Sequence, residues 1–284
     1  KFTFQQSSTT AAGFAYSYLI TSSAATSVGA SDYYFMRQNI EGFNVADLNW
    51  GTVNAQPVTL SFWVQCSLTG TFGGVLANYA NNRSYPFSYT ISSANTWTQI
   101  SVTIPGDTTG TWLTNNGLGI GVVFGLGVGS TYSGTAGAWS GTNYWSVTGA
   151  TSVVGTNGAT FYITGVQLEV GSSATSFDYR PYGTELALCQ RYYEQIGNSA
   201  NPYCQDRFYN NANRIPSTVQ YAVAKRAVPS ITAYSGNNTA GNFSGYSSST
   251  DNPITSIASP GVYFVGYFLN LTNAITQPHL GYFT

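Results

Sequence analysis

Hydrophobic and polar residues alternate with a period of two along several stretches of the chain. The apolar positions of PVTLSFWVQC share one phase, and those of WTQISVTIPG do the same: Val58, Leu60, Phe62, Val64 and Cys66 in the first stretch, and Ile100, Val102 and Ile104 in the second. Such alternation is typical of strands with one buried face. Many such strands, joined by loops rich in Gly, Ser and Asn, predict an all-β jelly-roll β-sandwich over residues 1–182.

The segment FYITGVQLEV (161–170) changes its phase partway along. Phe161 and Ile163 fall in one phase, whereas the apolar residues from Val166 onward fall in the other. A slip of one residue at a glycine is the pattern of a β-bulge. The sequence therefore predicts a strand with a bulge at Thr164–Gly165.

One passage, TELALCQRYYEQI, has a helical rather than a strand period. Its apolar residues follow 3-4-3 spacing and form one stripe, which consists of Leu186, Cys189, Tyr193 and Ile196. Thr184 is the predicted N-cap, and Glu185 lies in the first turn, where the helix dipole favours an anion. We predict a connecting helix over residues 183–198. Its stripe either meets other copies around an axis or packs on its own β domain.

Residues 199–284 return to apolar runs of strand length, such as GVYFVGYFLNL (261–271). A loop rich in Ser, Gly and Asn, at residues 235–252, separates two of them. This part of the chain predicts a second, smaller β-sandwich-like domain.

Charge is scarce in this sequence. Charged residues make up 7% of the 284 residues, the formal net charge is −1, and hydrophobic residues make up 43%. Without a basic cluster beyond Lys225–Arg226, phosphate neutralisation and hence nucleic-acid binding are not expected. The longest apolar runs, at 118–129 and 261–271, are too short to cross a bilayer, so we expect no membrane insertion.

The sequence offers little for catalysis. His279 stands alone near the C-terminus, and three scattered cysteines do not make a zinc site. The cysteines are expected to be reduced, buried thiols, with a Cys189–Cys204 disulfide as the alternative. We therefore predict no enzyme and no cofactor. The sequence does not exclude a structural calcium ion, although no Asp-rich loop locates a metal site.

Glycoside cleavage needs a pair of carboxylates, and the ten acids of the chain do not exclude one. Nothing in the sequence locates such a pair. The candidates in the first domain, outside the charged passage 165–195, are Asp32, Glu41, Asp47 and Asp107.

Aromatic residues are the more informative group. The long loop at 129–158 and a shorter loop before it combine aromatic rings with amides and hydroxyls, as sugar-binding sites do. The candidate carbohydrate-binding residues are Trp112, Tyr132, Trp139, Asn143, Tyr144 and Trp145. The same rings could instead pin the loop to the body of the domain or form a subunit contact.

The stretch FYITGVQLEVGSSATSFDYRPYGTELALCQRYYEQ resembles a signature of phage tail-fibre and other virion structural proteins, in which a carbohydrate-binding-like jelly roll passes into a distal β domain. The matching residues are Gln167, Leu168, Glu169, Gly171, Phe177, Arg180, Pro181, Glu185, Leu188, Cys189, Gln190, Arg191, Tyr192 and Tyr193. The resemblance extends over roughly residues 33–235, and the last fifty residues match nothing in that family.

This resemblance implies a non-enzymatic component of the virion, located on the phage tail or capsid surface and therefore extracellular. It implies a homotrimer that contacts host surface carbohydrate and other virion proteins. A tail fibre or receptor-binding protein is the leading expectation. The alternatives are a capsid fibre or decoration protein with a structural role, and the carbohydrate-binding module of a glycan-degrading spike.

Overall fold

The protein is described from a computed structural model. The structure describes residues 1–196 and 220–232 in full and, outside these ranges, only the backbone of short strands. The chain forms two compact units, Lys1–Asp178 and Tyr179–Thr284.

The first unit contains eleven strands and three short 3₁₀ turns. The strands are β1 (Phe2–Ser7), β2 (Ser17–Ser22), β3 (Tyr33–Glu41), β4 (Val58–Cys66), β5 (Gly70–Ala77), β6 (Ser84–Ile91), β7 (Thr98–Ile104), β8 (Leu118–Val128), β9 (Ser133–Gly134), β10 (Ser146–Val147) and β11 (Thr160–Val170). The turns are Gly42–Asn44, Ala46–Leu48 and Ser130–Tyr132. The short strands β9 and β10 pair with each other in parallel.

The remaining strands of this unit form two antiparallel sheets. One has the order β1-β2-β11-β4-β7 and the other the order β3-β8-β5-β6. Apart from the edge strand β1, eight strands are thus arranged as β2-β11-β4-β7 and β3-β8-β5-β6, which is the strand order of a jelly roll with two Greek keys. The prediction of an all-β jelly-roll sandwich is confirmed.

Both sheets contribute their inward faces to one core. The predicted apolar phase of β4 is buried, from Val58 to Cys66, with at most 1% of any of these side chains exposed. Aromatic rings from the facing sheet close over it, and Phe62 meets Tyr89 and Phe124 edge to face at 5.1 and 5.0 Å between ring centroids. Burial in this layer raises the pKa of the Cys66 thiol to about 11, so Cys66 is an inert core residue.

The predicted bulge is present in β11. The register between β11 and β4 shifts between Thr164 and Gln167, and Gly165 has φ of +58°. A side chain at Gly165 would overlap the Phe14 ring. Glycine is required here both for the left-handed backbone and for the close approach of Phe14.

The helix is shorter than the sequence predicted. Helix α1 spans Tyr182–Gln190, rather than 183–198, and Pro181 rather than Thr184 stands at its N-cap. The carbonyl of Pro181 accepts the N–H groups of Thr184 and Glu185, so the first turn starts upstream of the predicted cap. Glu185 lies in the first turn, as predicted.

Tertiary contacts end α1 early. The carbonyl of Arg191 accepts the N–H of Arg226, and the Glu194 carboxylate binds the N–H of Ala222 and the ammonium of Lys225. Residues 191–196 therefore follow the segment 220–226 instead of continuing the helix. Local spacing could not reveal these partners, because they lie about thirty residues away in sequence.

The second unit is also β-rich. Its strands are β12 (Tyr203–Cys204), β13 (Arg214–Gln220), β14 (Asn242–Gly245), β15 (Asp251–Ser256), β16 (Phe264–Leu271) and β17 (Gly281–Phe283), in an antiparallel sheet of order β12-β17-β14-β15-β16-β13. The predicted apolar run 261–271 contains β16. His279, Cys204 and the whole of 235–252 lie outside the residues whose side chains the structure describes. The predicted loop at 235–252 is not entirely loop, because it contains β14 and the first residues of β15.

Candidate functional site

The outer face of the four-stranded sheet has glycines where the long loop lies against it. A Cβ atom at Gly73 or at Gly125 would lie 2.6 Å from the Oγ atom of Ser146. Only glycine therefore leaves room for the segment Trp145–Val147 on this face. The sequence at these two positions determines where the loop docks.

Four aromatic rings meet at this docked loop, and we call them the outer-face cluster: Tyr33, Phe35, Tyr132 and Trp145. Phe35 stacks on Trp145 at 4.9 Å, and Tyr33 stacks on Phe35 at 5.7 Å between ring centroids. Tyr132 meets Tyr33 edge to face at 5.3 Å. One strand, β3, and one loop thus combine into a single aromatic surface.

The cluster is layered from the sheet outward. Trp145 is only 6% exposed and packs on Val75, Ala77 and Val123, whereas Tyr33 keeps 50% of its side chain exposed. A buried ring below and a half-exposed ring above make a rigid, solvent-facing aromatic platform. Such platforms suit the flat C–H faces of sugars.

The other loop candidates lie beside this platform with different surroundings. Tyr144 packs over Gly134, where a Cβ would lie 2.5 Å from its ring. The side chain of Asn143 is partly buried, and its Oδ1 atom has no hydrogen-bond partner.

Trp112 and Trp139 belong to a second group, the tryptophan cluster, together with Trp50. Their ring centroids lie 4.7 to 5.5 Å apart, in edge-to-face pairs. All three indole N–H groups donate within the protein: Trp50 to the carbonyl of Gln56, Trp139 to that of Pro105, and Trp112 to Thr109 and Asp107. These rings fasten the loops to the sandwich.

The six predicted carbohydrate-binding residues are therefore not one group. Tyr132 and Trp145 lie in the outer-face cluster with Asn143 and Tyr144 on the same loop, whereas Trp112 and Trp139 lie in the tryptophan cluster. Sequence reasoning missed Tyr33 and Phe35. Their signal was the alternation in DYYFMRQN, which puts Tyr33, Phe35 and Arg37 on one face of β3.

The candidate acids of a glycosidase pair have structural surroundings. Asp32 accepts the N–H of Gly29 just before β3, and Glu41 is buried at the other end of the same strand. Nine residues of strand separate these two by about 30 Å, whereas a catalytic pair lies within about 10 Å. Asp47 is exposed in a 3₁₀ turn, and Asp107 binds Arg83 through two 2.7 Å hydrogen bonds.

No group of three or more His, Cys, Asp or Glu side chains in the described part of the chain could hold a metal ion. In the same residues, no helix combines the length and the apolar character needed to cross a bilayer.

The predicted interface residues lie on and after α1, which has no buried residue. Leu186 is 41% exposed, and Tyr193 is 75% exposed. Cys189 is a free, exposed thiol, so neither its predicted burial nor a disulfide with Cys204 is found. Ile196 lies beyond the end of the helix and is half-buried.

Comparison with known proteins gives distant structural similarities only. No protein-family model matches the chain, and no curated protein matches it. A structure described as "CBM4 structure and function" is 11% identical with a TM-score of 0.32, over 60% of this chain and 91% of that chain. A family 11 carbohydrate-binding module from Clostridium thermocellum, in complex with a mixed-linked tetrasaccharide, is 10% identical with a TM-score of 0.31, over 61% and 84%.

A third structure, the PBSX exported protein XepA, is 10% identical with a TM-score of 0.21, over 93% of this chain and 84% of that chain. Similarities at these TM-scores carry no argument about function. What the protein does has to be inferred from its own residues.

Proposed function

We propose that this protein is a non-enzymatic virion component, a tail fibre or receptor-binding protein that contacts host surface glycan. The outer-face cluster is the proposed contact surface. The single observation that carries the proposal is Tyr33, a half-exposed ring stacked on Phe35 and backed by the buried Trp145. A ring held in this way loses little conformational entropy when a sugar stacks on it.

The surroundings of the cluster fit a polar, uncharged ligand surface. The loop that supplies Tyr132 and Trp145 is rich in Ser, Thr, Gly and Asn, and the hydroxyls and amides among them can bind sugar hydroxyls. Only 7% of the residues are charged, so a change in ionic strength should have little effect on interactions at the protein surface.

The virion assignment rests on the joint at residues 165–195, which resembles the tail-fibre signature. The proposed homotrimer rests on α1. Its apolar residues, Leu186 among them, are exposed in the single chain, and a short helix of this kind needs packing partners to be stable. Three copies that meet at this helix would bury them.

A polysaccharide array of bacterial capsules and lipopolysaccharides tests the glycan contact. We expect the protein to bind a subset of the array and Tyr33→Ala to lose at least tenfold in affinity, since stacking on one aromatic ring contributes roughly 1–3 kcal/mol. Tyr16→Ala is the matched control, because Tyr16 is equally exposed at 56% but lies outside the cluster. Release of reducing ends from the bound polysaccharide would instead support a glycan-degrading spike, and silence across the array would support a structural decoration protein.

A further inference from the structure

Arg37 lies at the edge of the outer-face cluster on the same face of β3 as Phe35. Its guanidinium carbon is 5.5 Å from the centroid of the Trp145 ring. The group rests on Gly121, where a Cβ atom would lie 2.5 Å from both Nε and Nη2. A glycine in β8 thus makes room for a cation against the sheet.

The donors of this guanidinium are mostly unused. Nε and Nη2 are buried and have no hydrogen-bond partner, and Nη1 is 3.5 Å from Oδ1 of Asn81, which is a long contact. No acidic side chain within the described residues forms an ion pair with Arg37. Burial lowers the pKa of Arg37, whereas the hydrogen bonds of Asp107 raise the pKa of Arg83.

The unpaired state of Arg37 is unusual for two reasons. A buried donor without an acceptor destabilises the protein, and a buried charge without a counter-charge does so more. Arg83, the other arginine that packs on a tryptophan ring of this unit, has its own carboxylate. On the loop that carries Trp145, the Asn143 amide and the Ser146 hydroxyl also have buried atoms without a hydrogen-bond partner.

We propose that Arg37 binds a carboxylate of the glycan, so that the ligand of the outer-face cluster is an acidic polysaccharide, such as one that contains uronic acid. This inference rests on the proposed function. A carboxylate at this partly exposed guanidinium supplies the counter-charge that Arg37 lacks. Nη1, whose contact with Asn81 is long, can donate a hydrogen bond to it. Arg37 keeps part of its side chain exposed, as do Tyr79 and Ala80 in the hairpin loop 78–83, which supplies its contact with Asn81.

Carboxyl reduction provides a matched probe. Each acidic polysaccharide that the protein binds on the array is compared with the same polysaccharide after its uronic acids have been reduced to neutral sugars. We expect reduction to weaken binding of the unmodified protein at least tenfold, since a hydrogen-bonded charge contributes roughly that factor. Arg37→Gln should bind the native polysaccharide at least tenfold more weakly and the reduced one as the unmodified protein does.

The controls separate the possible failures. Lys1→Gln, which removes one exposed positive charge from the same unit, should behave as the unmodified protein does. Arg37→Lys keeps the charge but not the planar group that packs on Trp145, so it should recover only part of the affinity. Thermal unfolding checks that each variant is folded. Sodium acetate at equal carboxylate concentration should not compete, because the sugar rings supply the rest of the binding.

Equal binding of native and reduced polysaccharide, with Arg37→Gln unaffected, would overturn the proposal for Arg37 while leaving the glycan contact intact. This is the result expected if water alone satisfies the guanidinium. Competition by acetate would also overturn it, since the site would then bind any small carboxylate. Binding to no polysaccharide at all would overturn both proposals.

Discussion

At the scale of single residues, the most heavily hydrogen-bonded side chain of the first unit is Asp107. It is 1% exposed and accepts from Arg83, from the N–H and hydroxyl of Thr109, and from the indole of Trp112. One buried carboxylate therefore links the segment after β7 to the residue that precedes β6 and to the tryptophan cluster. Because the carboxylate of Asp107 accepts all these hydrogen bonds, it is tolerated in the interior of a protein that has few charges.

Replacing Asp107 by Asn should destabilise the first unit strongly. The change leaves Arg83 without its counter-charge, and breaking a pair of this kind costs about 3 kcal/mol, the lower end of the usual range because Arg83 retains some exposure. We expect a melting temperature lower by roughly 6–12 °C in near-UV circular dichroism, which reports on the adjacent Trp112. Asp47→Asn, at an exposed acid, should leave the transition unchanged, and equal melting of the two variants would contradict this account.

Glu169 should give the first unit part of its acid sensitivity. Hydrogen bonds from the Thr175 hydroxyl and N–H and from Gln167 lower the pKa of Glu169. Because the pKa of Glu169 is lower in the folded state, the stabilisation that its carboxylate gives is complete above the ordinary pKa of a glutamate. This stabilisation is lost as the pH falls through the pKa of the folded state. Melting temperatures measured from pH 7 to pH 3 should therefore fall less for Glu169→Gln than for the unmodified protein, and parallel curves would count against this role.

At the scale of elements, the bulge in β11 and the docked loop both depend on glycine. Gly165 redirects the strand so that Gln167 and Glu169 can hold the chain segment that follows the sandwich. Gly73 and Gly125 admit the loop onto the outer face. In each case another part of the chain occupies the space that a side chain would take.

Gly165→Ala should be more destabilising than Gly149→Ala. Both residues have positive φ, +58° and +78°, so both substitutions carry a left-handed backbone cost of about 1–2 kcal/mol. Nothing lies within 4 Å of a Cβ at Gly149, whereas one at Gly165 would overlap Phe14 and add roughly 1–3 kcal/mol of overpacking. Chemical denaturation should show this difference, and equal losses would mean that Phe14 moves aside freely.

The elements were predictable where the signal was local. Alternation along β4, β7 and β11 predicted the sandwich and the bulge, because a buried face imposes a period of two on the sequence itself. The end of α1 was not predictable, since Arg226 and Lys225 end it from a distant segment. The division of the aromatic residues into two clusters was not predictable either. Spacing along a loop does not show which ring reaches the outer face of the sheet and which ring packs in the tryptophan cluster.

At the scale of the whole molecule, the exposed helix is the feature that a single chain leaves unexplained. If α1 mediates the proposed trimer, Leu186→Asp should convert the protein to monomers, because three carboxylates would be brought together at an apolar contact. Multi-angle light scattering after size-exclusion chromatography measures the mass directly. Val53→Asp is the control, at a residue that is 90% exposed in the first unit, and it should remain trimeric. A monomeric unmodified protein at high concentration would refute the trimer.

The central claim is that glycan binds the outer face of the four-stranded sheet. Hydrogen–deuterium exchange of the protein, with and without the polysaccharide that it binds most tightly, tests this claim most directly. We predict slower exchange on binding at residues 33–37 and 130–146, and unchanged exchange in β1 and in α1. Protection confined to other segments, with these two unchanged, would contradict the account.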